Sequence, residues 1–193
     1  MITNYTSCDS ITLAGIDGRC DVSFGGVKRI LVGLRDKWDV TVEIPAGSTE
    51  DIEYITNITA KEGLMDTPYF VEYRFRKNTA SYTSTIAPDN AIGNSFATTV
   101  VTLQFSKAEA KKRMILQSII NAGNACIIVE DMYGQYIYLG MDAEVVVTNA
   151  VMQSGTANTD LNGFTLELQD VSLQLPYFID EQFDVDSLIQ VQQ

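Results

Sequence analysis

The chain has 193 residues, with 13 Lys or Arg, 25 Asp or Glu and no His, so its formal net charge is −12. Without imidazole there is no Ser-His-Asp or Cys-His nucleophile pair and no His-ligated zinc or haem, which removes the commonest catalytic and metal chemistries. The acidic balance speaks against a surface that grips nucleic-acid phosphates or an anionic membrane by neutralising them, but not against a protein that surrounds nucleic acid without holding it.

In chain order, Met1–Cys8 is polar and lacks the basic start and apolar stretch of a signal peptide, so export by that route is not expected. Gly25-Gly26 marks a turn or bulge before the continuous apolar run Lys28–Leu34, which reads as a central strand. Trp38, Val40, Val42 and Ile44 then alternate with Asp39, Thr41 and Glu43, the signature of a strand with one buried face. Ile52–Ala60 is a weaker strand candidate, and Tyr69, Val71, Tyr73 and Phe75 alternate with Glu72 and Arg74. From Arg76 to Ser95 apolar side chains are scattered and the stretch ends in Pro88, Gly93 and several Asn, which predicts a long inter-strand loop at residues 76–95. Tyr82, Ile86 and Ile92 in that loop are apolar enough to be buried by a partner. Val101, Leu103 and Phe105 resume strand alternation.

One segment carries strong helix signals. Ser106 and Glu109 have capping-box spacing, Ile115, Leu116, Ile119 and Ile120 repeat at helical period, and Lys107, Lys111, Lys112 and Arg113 take the solvent side. Gly123 is placed to stop a helix over about residues 107–122. A hairpin follows, with Ala125–Glu130 and Gln135–Leu139 joined by the turn Asp131-Met132-Tyr133-Gly134. Glu144–Thr148 is β-branched, and Met152–Gly163 reads as a loop. Phe164, Leu166 and Leu168 alternate out of phase with Val171, Leu173 and Leu175, which predicts a bulge or turn near Asp170. The stretch from Asp180 to Gln193 keeps Phe183, Val185, Leu188, Ile189 and Val191 among acids and glutamines, a pattern that suits a docking arm better than a solvated end.

No constellation reads as an active site. Cys8, Cys20 and Cys126 form no CxxC pair, so free thiols are expected, with Cys126 in a strand core and a Cys8–Cys20 bridge as the weaker alternative. Asp184 and Asp186, with Asp180 and Glu181, lack the glycine-anchored spacing of a calcium loop, and Asp9, Asp17 and Asp21 fit turn chemistry. Gly25-Gly26-Val27-Lys28 precedes a strand, whereas a phosphate cradle precedes a helix. The longest apolar runs, near Met114–Ile120 and Ala125–Val129, are far shorter than the ~20 residues that span a bilayer, so no membrane partner is expected.

The lead-in Gly25-Gly26-Val27-Lys28-Arg29-Ile30, the strand start Trp38-Asp39-Val40-Thr41, the hairpin Cys126–Tyr136, and Ser154-Gly155-Thr156-Ala157 followed by Asp160–Leu166 together resemble the tail-tube proteins of tailed bacteriophages, in particular the tube-like proteins of phages infecting Bacteroidetes. The resemblance implies a single domain over residues 1–193, mainly β, a sandwich or barrel-like subunit with one flanking helix, the loop at 76–95 and a C-terminal arm at 180–193. It implies a structural virion protein without enzymatic activity or cofactor, made in the bacterial host cytoplasm and located in the virion tail. Its partners would be copies of itself, in rings, hexameric in that family, stacked into a tube, together with other tail or connector proteins. DNA would pass through the lumen without specific binding, and an anionic lumen would let it slide. Contacts between subunits or rings are expected of Tyr82, Ile86, Ile92, Phe178, Phe183 and Leu188. The alternatives are a head-to-tail connector or tail-terminus ring protein, a carbohydrate-binding β-sandwich, which needs exposed aromatic platforms, and a His-free hydrolase with paired carboxylates in a cleft.

Overall fold

A computed structural model describes residues 25–46, 52–89, 94–157 and 160–189. The readings on Cys8, Asp9, Asp17, Cys20, Asp21, Ile92 and Val191 lie outside the described residues. The molecule is mainly β, and its strands form two sheets and a separate hairpin. Strands β1 (Val27–Leu34), β4 (Val71–Arg74), β7 (Ala125–Asp131), β8 (Tyr136–Leu139) and β11 (Tyr177–Phe178) form a five-stranded sheet in the order β11-β8-β7-β1-β4. Strands β5 (Ala80–Asp89), β6 (Asn94–Ser106), β9 (Val146–Gln153) and β10 (Gly163–Ser172) form a four-stranded sheet in the order β5-β6-β10-β9. The hairpin pairs β2 (Trp38–Glu43) with β3 (Tyr54–Ala60). Every pairing between these strands is antiparallel.

The five-stranded sheet is the middle layer, and this explains the continuous apolar runs of β1 and β7. Ile30, Ile127, Val129, Ile137 and Leu139 face the four-stranded sheet and meet Val101, Leu103, Leu166 and Leu168 in one core. Leu31, Cys126, Ile128 and Tyr138 face the other way and meet Trp38, Ile55, Ile58, Phe70, Ile179, Val185 and Leu188 in a second. A strand covered on both faces has no polar side to show. Each fully buried Leu or Ile contributes on the order of 1.5–3 kcal/mol, so the middle sheet anchors both layers.

The helix α1 is Ala110–Ala122, with Leu116 and Ile119 buried in the first core and Gly123 in the left-handed conformation (φ 58°) at its end. It starts later than the capping-box spacing predicts. Ser106 remains in β6, paired with Gly163, and Lys107 adopts φ 68°, so the chain turns before the helix begins. Glu109 holds the cap position without a side-chain cap bond, its carboxylate being taken by Lys107.

Four further expectations are corrected. Most of the loop expected at 76–95 is strand: β5 pairs with β6 without interruption from Ala80↔Leu103 to Asp89↔Asn94. Its alternation is faint because serine and threonine, of which threonine suits strands, fill the outer face at Ser81, Thr83 and Thr85, while Ser84 interrupts the inward set Ala80, Tyr82 and Ile86. The loop expected from Met152 begins later, since β9 continues to Gln153. No bulge interrupts β10 near Asp170. Its register with β6 is continuous from Gly163 to Ser172, and the one irregularity, against β9, lies between Glu167 and Leu168. The inward positions simply turn polar: Asp170 accepts from the Gly140 amide at 3.1 Å, and Ser172 donates to the Gln174 carbonyl at 2.7 Å. Val171, Leu173 and Leu175 are thereby left exposed. Finally, residues 180–189 are not a free arm. They lie along the chain's own second core, with isolated parallel bridges Ile55↔Ile179 and Phe70↔Ile189 at either end.

Candidate assembly surfaces

The four-stranded sheet ends on both sides in strands that lack a second partner among the described residues. On one side is β5 and on the other β9. Because each neighbouring pair in the order β5-β6-β10-β9 is antiparallel, β5 and β9 run in opposite directions. The sequence of β9, VVTNAVMQ, contains no charged residue, and that of β5, ASYTSTIAPD, has none before its last position. Nearly all of β9 is exposed. An edge strand that is long, solvent-facing and uncharged offers a row of unpaired amides and carbonyls to any other strand, a liability that monomeric proteins blunt with charges or bulges.

The two faces of this sheet differ. The inner face carries the first core. The outer face is not covered by any other described residue, and its cross-strand rows run Ser81–Thr102–Glu167–Asn149, Thr83–Val100–Gln169–Val146 and Thr85–Thr98–Val171. Glu167 is the one charged side chain on it among the residues whose side chains are described. At one end of the sheet, Ile86 and Phe96 stand on adjacent rows beside Ser172 and its exposed neighbour Leu173.

The C-terminal segment is clamped by charge as well as by apolar contact. Arg29, 7% exposed, sits on the side of the middle sheet that faces this segment. Its guanidinium donates to Glu72 at 2.8 Å, to the Tyr136 hydroxyl at 2.8 Å and to Glu130, and it pairs with Asp186 at 2.7 Å. Glu130 also receives Lys28. Burial pulls the Arg29 pKa down, but hydrogen bonds to Glu72, Tyr136, Glu130 and Asp186 outweigh it and raise the value overall. Burial pushes Glu130 and Glu72 up, yet their hydrogen bonds to Lys28 and Arg29, and to Arg29 and Arg74, bring both below the ordinary carboxylate range. Asp184, one of the acids whose spacing does not fit a calcium loop, caps the short turn Val185–Leu188 by accepting from the Asp186 amide at 3.1 Å. Among the described residues no group of three or more Cys, Asp or Glu is arranged to hold a metal ion.

A groove of ≈ 650 Å³ opens between α1, β4 and the segment Gly63–Tyr69, with Leu34, Met65, Tyr69 and Val71 exposed along it. Its titratable side chains, Lys37, Asp66, Tyr69 and Tyr73, include no pair of carboxylates. Trp38 is 7% exposed and stacks on Phe70 with ring centroids 4.8 Å apart, so it offers no platform to a sugar.

The six residues expected at contacts are not brought together. Ile86 and Phe178 are exposed, at the end of β5 and on β11. Tyr82 packs partly on the first core and Phe183 partly on the second, while Leu188 is buried in the second. Leu188 is therefore used within the subunit, and Ile92 lies outside the described residues. The sequence reading caught only the start of β9, in the β-branched run Glu144–Thr148, and overlooked the rest of that strand and the outer face of the four-stranded sheet. The available signal was the absence of charge from residues 146–153.

These features define an antiparallel β-sandwich with a third layer, carrying an open-edged sheet with few charges. Compared with known proteins, the chain matches no family model, and neither curated proteins nor solved structures give a match. Among the described residues no helix is long and apolar enough to cross a membrane.

Proposed function

We propose that this chain is the repeating subunit of a bacteriophage tail tube, a structural protein of the virion whose rings stack into the conduit for DNA ejection. The observation that carries the reading is the pair of open edges on one sheet, β9 without charge and β5 with none before its last position. Since β5 and β9 run in opposite directions, β5 of one copy can pair with β9 of the next and continue the antiparallel alternation around a ring. Closure removes both open edges of this sheet at once, and the like-for-like repetition gives a head-to-tail interface that closes by rotation. The outer face of the sheet then lines the channel, with the middle sheet, the β2–β3 hairpin and α1 outside it. The ordering of the family features in the sequence, noted above, supports the same assignment.

The test is assembly of the purified full chain. Negative-stain images should show filaments with a central channel. The substitution pair Asn149→Lys and Val151→Lys puts cations on the β9 edge, where they should leave a folded subunit, judged by circular dichroism, that forms no rings. Filaments of normal length from that variant would refute edge-to-edge closure. Single rings without filaments from the wild type would move the assignment to a head-to-tail connector or tail-terminus ring.

A further inference from the structure

Among the described side chains, the face that the tube reading turns toward the channel carries a single carboxylate, although the net charge of the chain is −12. An ordinary protein surface carries roughly a quarter to a third of its residues as charges. Here the two central strands present Thr98, Val100, Thr102, Thr165 and Gln169 outward, with Glu167 as the one carboxylate and no Lys or Arg among the described side chains. The acids lie elsewhere, several of them in salt bridges on the opposite side of the molecule.

We infer that this face is a neutral, hydrated wall past which double-stranded DNA slides, held neither by attraction of its phosphates nor by repulsion from carboxylates. The inference rests on the tube reading and replaces the anionic lumen expected from the whole-chain charge. A cationic wall would retain the polyanion through counter-ion release, with a steep dependence on salt. An anionic wall would exclude it at low ionic strength, where the screening length is roughly 30 Å at 0.01 M, and admit it at 0.15 M, where that length falls to about 8 Å. Hydroxyls and amides do neither, because they exchange hydrogen bonds with water and carry no net charge for a phosphate to respond to. An uncharged face is also what a dry contact between copies would show, and the experiment separates the two.

Tubes of the full chain are sedimented with a fluorescent DNA duplex of about 20 base pairs, a rigid rod far below the ~150 bp persistence length, or with an uncharged polymer of equal hydrodynamic size. The expected result is similar uptake of both, with DNA uptake changing less than about twofold between 0.01 M and 0.15 M salt. Glu167→Gln should leave uptake as in the wild type. Thr98→Glu with Thr165→Glu should suppress DNA uptake at low salt by about tenfold and restore it at the higher salt. The wild-type comparison decides the matter even if that double variant does not assemble. Wild-type tubes that already exclude DNA at low salt, that retain DNA above the polymer, or that admit neither probe would overturn the neutral wall while leaving the tube reading in place. Failure of the wild type to form tubes would sink the tube reading and this inference with it.

Discussion

Gly33 and Phe70 make the contact on which the third layer is seated, and the geometry sets the cost of disturbing it. A Cβ on Gly33 would lie 2.7 Å from Cε1, 2.9 Å from Cδ1 and 3.0 Å from Cζ of Phe70. Ordinary carbon contacts are 3.5–4.0 Å, so the shortfall is about 0.8 Å. The ring has nowhere to retreat. It is fully buried, Trp38 stacks on it at 4.8 Å between centroids, and its backbone amide donates to the Leu188 carbonyl at 2.9 Å. Alanine is intrinsically better than glycine in a strand by about 0.5–1 kcal/mol, whereas forcing extra volume into a packed core costs about 1–3 kcal/mol. Gly33→Ala should therefore lose about 1–2 kcal/mol, seen as a lower urea midpoint at unchanged slope. Phe70→Leu alone should cost less than about 1.5 kcal/mol, and the double variant should lose less than the sum by at least about 0.5 kcal/mol, because a smaller side chain gives the methyl room. A Gly33→Ala midpoint at or above the wild type, or a strictly additive cycle, would refute the packing argument.

Two further outcomes are expected. Glu72 and Glu130 titrate below their ordinary 4.5 in the folded state. The stability they contribute is thus fully present above about pH 4.5 and lost as pH falls through their lowered values. Urea midpoints should decline over that acid range, and Glu130→Gln should be less stable at neutral pH and show a shallower acid decline; an unchanged slope would count against the clamp. Burial pushes the Cys126 thiol up to about 11. Peptide mapping after alkylation at mildly alkaline pH should find Cys126 unlabelled in the native protein and labelled in urea, and rapid native labelling would contradict its place in the core.

Legibility differed from element to element for physical reasons. The runs in β1 and β7, the alternation in β2, the hairpin turn before Tyr136 and the glycine stop of α1 were readable because each depends on neighbours in sequence: a buried face repeats at its own period, and a left-handed residue selects glycine. The strand β5 was not readable, because a Thr- and Ser-rich strand declares itself only through its pairing with β6. The phase of β10 was misread for a related reason. Asp170 and Ser172 look like surface residues until the Gly140 amide and the Gln174 carbonyl are found beside them.

The candidate site shows the same division. Net charge, the absence of histidine and the dominance of β-pattern are sums and periods, so the sequence by itself determined that this is an acidic, histidine-free, mainly β protein. Where the charge sits is a question of position. Only the tertiary structure decided that the acidic C-terminal segment folds back under Arg29, and that the sheet with open edges presents an almost uncharged face. A side chain's orientation depends on strand register, and register is set by partners far away in the chain, which no local reading of composition contains.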